Sequence, residues 1–270
     1  MVRYAHYLLI KPMKKISPHF AFCCLLVAAA GCAKDRAVST NKQPAAAVSR
    51  TDSGVENPAI ATAAARPVSP LPGGDWQRLF NGEDLKGWKE TRFAGRGEIE
   101  CNHHLLVLKS GDPFTGLNWT NEFPNADYEI SLEAIRLSGS DFFCGLTVPV
   151  GTNFCSLIVG GWGGSLFGIS SLDGMDASEN ETTKFQNFEN DRWYRIRFLV
   201  TLSRLQVWID QEMTIDTDIT GKKISVRPGD IEMSEPLGLA SWSTSAAYRD
   251  IQWRKVTGPE EKKKKARKES

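Results

Sequence analysis

Between Ala126 and Leu137 the chain reads ADYEISLEAIRL, with Tyr128, Ile130, Leu132 and Ala134 on one side and Glu129, Ser131 and Glu133 on the other. That period of two is the signature of a strand with one face in a core. RWYRIRFLVT alternates in the same way, setting Trp193, Arg195 and Arg197 against Tyr194, Ile196 and Phe198. RLQVWID follows after the turn TLS, so these two runs predict a hairpin. DFFCGLTV and NFCSLIVG flank a Pro/Gly turn and predict another. PLGLASW and AAYRDIQWRKV close the periodic region, and no stretch has the apolar spacing of a long amphipathic helix. Many short strands with turns between them predict an all-β sandwich or barrel.

The pattern holds only from about Asp75 to Val256. Ala33 to Pro72 is rich in Ala, Ser, Thr, Pro and Asn and has few large apolar residues. Such a segment buries too little surface to offset its ordering entropy and reads as a flexible tether. The first residues are basic, and a short apolar run, FAFCCLLVAAAGC, ends at Cys32. A basic start, an apolar stretch and a small-residue exit are those of an export signal. The AAGC exit is similar to that of a bacterial lipoprotein, whose cysteine takes the lipid. The expected organisation is therefore a leader at 1–31, a tether at 32–73 beginning at a lipidated Cys32, one domain at 74–257 and a disordered basic tail at 258–270. Several acyl chains on Cys32 would anchor it stably, where a single chain is marginal. The protein is then expected in the cell envelope, facing the outer membrane or periplasm.

Composition narrows the chemistry. A net charge of +1 and a basic run confined to the last residues give no footprint for nucleic acid. Without the leader and Cys32, three cysteines remain, Cys101, Cys144 and Cys155. Counting VPVG as a four-residue loop sets Cys144 opposite Cys155, so the alternatives are a cross-strand disulfide or two small buried hydrophobes. His103 and His104 are neighbours in CNHHLL and share a pocket only if the chain turns there. With so little histidine, any metal would be held by oxygen, which suits Ca²⁺ or Mg²⁺ over Zn²⁺.

Candidate site residues gather after Gly160, in GGWGGSLFGISSLDGMDASENETT. The glycines do not make a phosphate loop, which requires a Lys-Ser/Thr end. They can instead leave Trp162 clear of neighbours, an indole free to stack on a sugar face or, equally, to fill a tight corner. The acids Asp173, Asp176, Glu179 and Glu181 do not fit a calcium EF-hand, because glycine directly follows the first Asp. Asp173 and Asp176 are the candidates for a base or a ligand, with Glu179 and Asn180 as polar contacts to a substrate. The alternative is a solvated loop whose Asp and Asn side chains serve its own backbone. Arg195 would hold sugar hydroxyls or an enolate if its face is the site, and Trp242 in ASWSTS would share that rim.

The opening WQRLFNGEDLKGWKE resembles a family start of the form LFNGKDLSGW. NADYEISLEAI, NDRWYRIRFLVTLSRLQVWID and the closing GLASWSTSAAYRDIQWRKV are similar to successive segments of the same family. This is the 3-keto-disaccharide hydrolase domain family, formerly DUF1080, and the likeness spans nearly all of Asp75 to Val256. It implies a concanavalin A-like or LamG-like jelly roll of two antiparallel sheets, with the concave face as the carbohydrate site. It also implies action on 3-keto-glycosides: a base removes the C2 proton acidified by the ketone, and the C1 group leaves. One departure is plain: where many members carry SGI..R on a central strand, this chain has CGLTVP and no arginine. Three functions follow: a hydrolase or lyase of oxidised saccharides, a non-catalytic carbohydrate-binding module, or a structural or adhesive surface lipoprotein.

Overall fold

A computed structural model describes residues 58–256. The expected leader, Cys32, the expected tether before residue 58 and the expected disordered tail lie outside the described residues. The chain enters through a helix, α1 (Pro58–Ala65), followed by strands β1 (Gln77–Arg78), β2 (Trp88–Glu90), β3 (Ile99–Asn102), β4 (Leu105–Leu108) and β5 (Phe114–Trp119). The long β6 (Tyr128–Gly139) leads to β7 (Cys144–Val150), β8 (Asn153–Gly161), β9 (Leu166–Ser170) and the short β10 (Lys184–Phe185). A meander follows, β11 (Trp193–Val200), β12 (Arg204–Ile209) and β13 (Glu212–Asp218). After a 3-10 turn at Asp230–Ser234, β14 (Gly238–Trp242) and β15 (Thr244–Lys255) complete the domain.

Two antiparallel sheets form a jelly-roll sandwich, as the alternation and the resemblance led one to expect. One runs β13-β12-β11-β6-β15-β4-β3, with β1 added alongside β15, and the other β10-β9-β8-β7-β14-β5-β2. Tyr128, Ile130, Leu132 and Ala134 of β6 meet Tyr194, Ile196 and Phe198 of β11 in the core, with Leu146, Leu157 and Leu239 from the facing sheet. Each fully buried Leu, Ile or Phe contributes about 1.5–3 kcal/mol.

The β7–β8 hairpin differs from its expected register. The ladder runs out to Val150 and Asn153, so the turn is only Gly151-Thr152, and Cys144 pairs with Val159 while Cys155 pairs with Val148. Four residues of strand, about 13 Å, then separate Cys155 from Cys144's partner. A disulfide needs Cα atoms within about 7 Å. Both cysteines are free and fully buried, acting as the small hydrophobes of the other alternative.

The second correction concerns the tether, which ends earlier than expected. Pro58 opens α1 at a position where its missing N–H costs nothing, and an alanine-rich sequence continues it. Eight residues are marginal as an isolated helix. Packing supplies the rest: Ile60 and Ala63 bury against Leu105, Val107, Ile135 and Ala247. The Trp193 indole N–H donates to the Ala63 carbonyl at 2.9 Å, satisfying a helix-end acceptor. Residues 66–74 then form a strap across the outer face of the eight-stranded sheet. Arg249 donates to the carbonyls of Arg66 (2.7 Å) and Pro67 (2.9 Å), and Arg195 donates to Ser69 (2.8 Å). In return the Ser69 N–H donates to Glu133 Oε1 at 2.7 Å.

Under the strap the polar side of β6 is itself buried: Glu129, Ser131 and Glu133 are each 0% exposed. Register explains how. Glu133 lies between Arg195 of β11 and Arg249 of β15, its pairing partners on either side. Arg249 reaches it at 2.6 Å and Arg195 at 3.5 Å, and Arg195 also pairs with Asp250 at 2.7 Å. Glu129 is held likewise by Arg197 (2.5 Å) and Arg254 (2.6 Å). The guanidinium groups of Arg249 and Arg197 stack on Trp193 and Trp208. Carboxylates taken this far from water persist only when paired and hydrogen-bonded.

Candidate functional site

The outer face of the other, seven-stranded sheet carries a cleft of about 390 Å³. Its floor follows from pairing. Thr147, Ser156 and Ser170 lie side by side across β7, β8 and β9. Thr147 and Ser156 share a hydroxyl hydrogen bond of 2.8 Å, and Ser156 and Ser170 line the cleft. In the next row, Gly116, Ala240, Gly145, Ile158 and Gly168 are successive partners across five strands. The small residues there make room for what lies above. A Cβ on Gly145 would come within 3.0 Å of the Phe142 ring, and one on Gly116 within 2.8 Å of Phe93.

Two tryptophans form the lip. Trp162 is 44% exposed and Trp242 37%, and both line the cleft. Trp242 stands edge-on to Phe114, with ring centroids 4.6 Å apart. Trp162 has φ 49° between Gly160 (φ 80°) and Gly163 (φ 84°), a left-handed turn that lifts the indole off the sheet.

Opposite the indoles stands an ion pair, Arg227 Nη1 to Asp176 Oδ2 at 2.8 Å. Oδ1 of Asp176 accepts from the Ser170 hydroxyl (2.6 Å) and the Ala177 N–H (2.7 Å). Oδ1 is thus committed to the turn, and Oδ2 to Arg227. Arg227 keeps 60% of its side chain exposed, so its remaining donors reach into the cleft. Asp141 and Asp230 add two further carboxylates to the lining.

Of the residues expected to form the site, Trp162, Trp242 and Asp176 converge here, and four do not. Asp173 sits in a tight turn with φ 54°, its Oδ1 accepting the Lys223 N–H at 2.8 Å and its Oδ2 3.7 Å from Lys222. Glu179 is exposed, and its N–H closes a turn onto the Asp176 carbonyl at 2.9 Å. Asn180 is 7% exposed and is a structural hub. Its amide donates to the Ile169 and Asp176 carbonyls, both at 2.8 Å, and its oxygen accepts the Thr182 N–H at 2.9 Å and the Thr182 hydroxyl at 2.6 Å. Arg195 is on the other sheet, under the strap. The acidic loop is thus mostly self-satisfying backbone support, and Asp176 is its one acid facing the cleft.

His103 and His104 are exposed at the β3–β4 turn with φ 50° and 62°, the geometry of a two-residue hairpin loop. His104 Nδ1 lies 3.1 Å from the Gly82 carbonyl. Among the described residues no three His, Cys, Asp or Glu side chains gather as metal ligands would. With Asp176 committed to Arg227, the cleft side chains do not fit the oxygen-liganded Ca²⁺ or Mg²⁺ site considered from the sequence. Arg227, Asp141 and Ser170 escaped the sequence reading. Arg227 sits in SVRPGD, whose Pro-Gly marks a turn, but nothing local connects it with Asp176, fifty-one residues earlier.

A jelly roll with aromatic lips, a hydroxyl floor and a charged pair in one cleft belongs to the carbohydrate-active class of β-sandwiches. The chain belongs to the family of 3-keto-alpha-glucoside-1,2-lyase-like domains, whose pattern matches residues 75–254. No curated protein matches it. Among solved structures it is similar to the carbohydrate binding module CBM66 from Bacillus subtilis, at 13% identity and TM-score 0.43, over 64% of this chain and 98% of that one. It is also similar to a Bacillus licheniformis beta-glucanase, at 9% identity and TM-score 0.45, over 68% of this chain and 100% of that one.

Proposed function

We propose that this is an exported lipoprotein whose cleft binds an oxidised glucoside and eliminates the group at C1. The observation that carries this reading is the convergence of Trp162, Trp242 and the Asp176–Arg227 pair on one cleft. The family description supports it. In the proposed reaction the indoles hold the apolar face of the ring. A ketone at C3 acidifies the C2 proton, which Oδ2 of Asp176 accepts. Arg227, already 2.8 Å away, shifts its donors to the oxygen at C3 as negative charge develops there. This chain lacks the strand arginine common in the family, and Arg227 supplies a guanidinium from a loop instead. The electron pair left at C2 expels the glycosidic oxygen from C1, Asp176 passes to that oxygen the proton it took from C2, and water then adds across the C1=C2 double bond, its hydroxyl to C1 and its proton to C2. Ser170 and the Ala177 N–H keep Asp176 in place throughout.

A second reading, a binding module without catalysis, is favoured by one observation: both oxygens of Asp176 already have partners. Incubation of the purified domain with a 3-keto-glucoside, with binding measured in parallel, separates the two. Turnover that is lost in Asp176→Asn by a factor of about 10²–10⁴ supports the lyase. Binding without turnover supports the module, and absence of both removes the cleft assignment. For the anchor, Cys32→Ser should release the protein from the membrane fraction and abolish fatty-acid labelling, and retention of the label would sink that part.

A further inference from the structure

The glycines around Trp162 are explained by a residue from the opposite sheet. Arg136 of β6 is 4% exposed and directs its guanidinium out of the core toward the β8–β9 turn. Nη2 donates to the carbonyls of Gly164 at 2.9 Å and Gly160 at 3.4 Å, the two ends of that turn. Nη1 donates to the Phe188 carbonyl at 3.2 Å and Asn190 Oδ1 at 3.4 Å. The group lies 5.1 Å from the Phe143 ring centroid. Among the described residues no carboxylate ion-pairs with it. Burial lowers its pKa below the ordinary guanidinium value, and a buried cation held mainly by carbonyls is costly to keep.

Both flanking glycines are shaped around this group. A Cβ on Gly160 would lie 2.6 Å from Arg136 Nη2, and one on Gly164 3.2 Å from Nη1. Glycine is thus required at these positions by the guanidinium as well as by φ of 80° and 107°. From the cleft side Asp141 Oδ2 accepts the Gly163 N–H at 3.5 Å, and its Oδ1 accepts the Phe142 N–H at 2.7 Å. Among the described residues the half-exposed indole of Trp162 forms no ring contact, unlike Trp242, which rests on Phe114 and Phe142. Its direction follows from a turn whose Gly160 and Gly164 carbonyls are held by Arg136 and whose Gly163 N–H is held by Asp141.

We infer that Arg136 is a positioning residue that fixes the Trp162 platform for ligand. This rests on the proposed sugar-binding role of the cleft, but its first test does not. The readout is the ¹⁹F spectrum of protein labelled with 5-fluorotryptophan, with the Trp162 resonance assigned by its absence in Trp162→Phe. In Arg136→Lys the Trp162 line is expected to move or broaden while the core indole lines stay put. Gly164→Ala keeps the guanidinium but crowds the turn, meeting the Ser140 carbonyl at 3.0 Å and Arg136 Nη1 at 3.2 Å, and should perturb the same line. An unchanged Trp162 resonance in either folded variant overturns the inference whatever the ligand. The second readout is kinetic: Arg136→Lys should raise KM for the 3-keto-glucoside about tenfold with kcat within threefold, matching Trp162→Ala. If Trp162→Ala leaves KM unchanged while Arg136→Lys still moves the fluorine line, the clamp stands and the sugar-platform reading fails. If Trp162→Ala raises KM and Arg136→Lys does not, the positioning role is refuted.

Discussion

Asp176 divides its carboxylate, one oxygen for the turn that carries it and one for Arg227. Asp173, three residues earlier, spends its side chain on Lys223 and Lys222 outside the cleft. The two acids look equivalent in the sequence, and the contrast makes a prediction. Asp176→Asn should abolish turnover while leaving sugar affinity within a few-fold, whereas Asp173→Asn should keep most of the activity. Kinetics on the pair of variants decide it, and a silent Asp176→Asn would remove the base assignment. Trp162→Ala and Trp242→Ala should each weaken glycan binding about tenfold, roughly the worth of one aromatic contact, as calorimetric titration would show. Trp162 and Trp242 were legible because each is an aromatic among glycine or serine, a context that does not bury it. Asp176 was legible as one of a pair, and its partner Arg227 was not, because only the turn leading into β14 brings it across the sheet.

Among elements, the strand pattern was readable wherever one face met the core, as in β6 and β11. What the pattern could not convey is that the second face of β6 is buried too. Glu129 and Glu133 have the alternation of solvated residues, and it takes arginines on both neighbouring strands and a strap above to keep them dry. Glu133→Ala should therefore destabilise the domain by about 3–5 kcal/mol by leaving the buried Arg249 without its carboxylate and Arg195 with Asp250 alone. A chain beginning at Asp75, where the family match starts, should lose several kcal/mol too, since it strands the donors that serve Arg66, Pro67 and Ser69. Urea unfolding of the shortened and full domains measures this, and equal midpoints would show the strap to be energetically idle. The segment was misread as tether because its small residues bury little surface. Its order comes from backbone carbonyls, which every sequence has.

For the molecule as a whole, the sealed core sets an alkaline limit. Burial pushes the Cys155 thiol up to about 12 and raises Cys144, Tyr128 and Tyr248 above their ordinary values. These groups stay protonated in the fold after the unfolded chain has begun to lose its protons. The stability they contribute is complete below the unfolded thiol value of 9.0 and declines as pH rises beyond it. Each group costs about 1.4 kcal/mol per pH unit once the unfolded form is ionised. Urea midpoints should thus fall as pH rises from 9 to 10.5, less steeply in Cys155→Ala, and a flat profile would contradict the burial. In the native state at pH 8, Cys144 and Cys155 should resist a thiol reagent that modifies them readily once the chain is unfolded. The strap has a mechanical meaning as well. It enters the domain on the sheet facing away from the cleft, held by guanidinium donors rather than woven into the sandwich. A pull on the chain ahead of Pro58 loads the α1 packing and then those few bonds before it loads any strand. The strap then acts as a fuse, peeling at low force while the Trp162 and Trp242 lip on the far side keeps its shape.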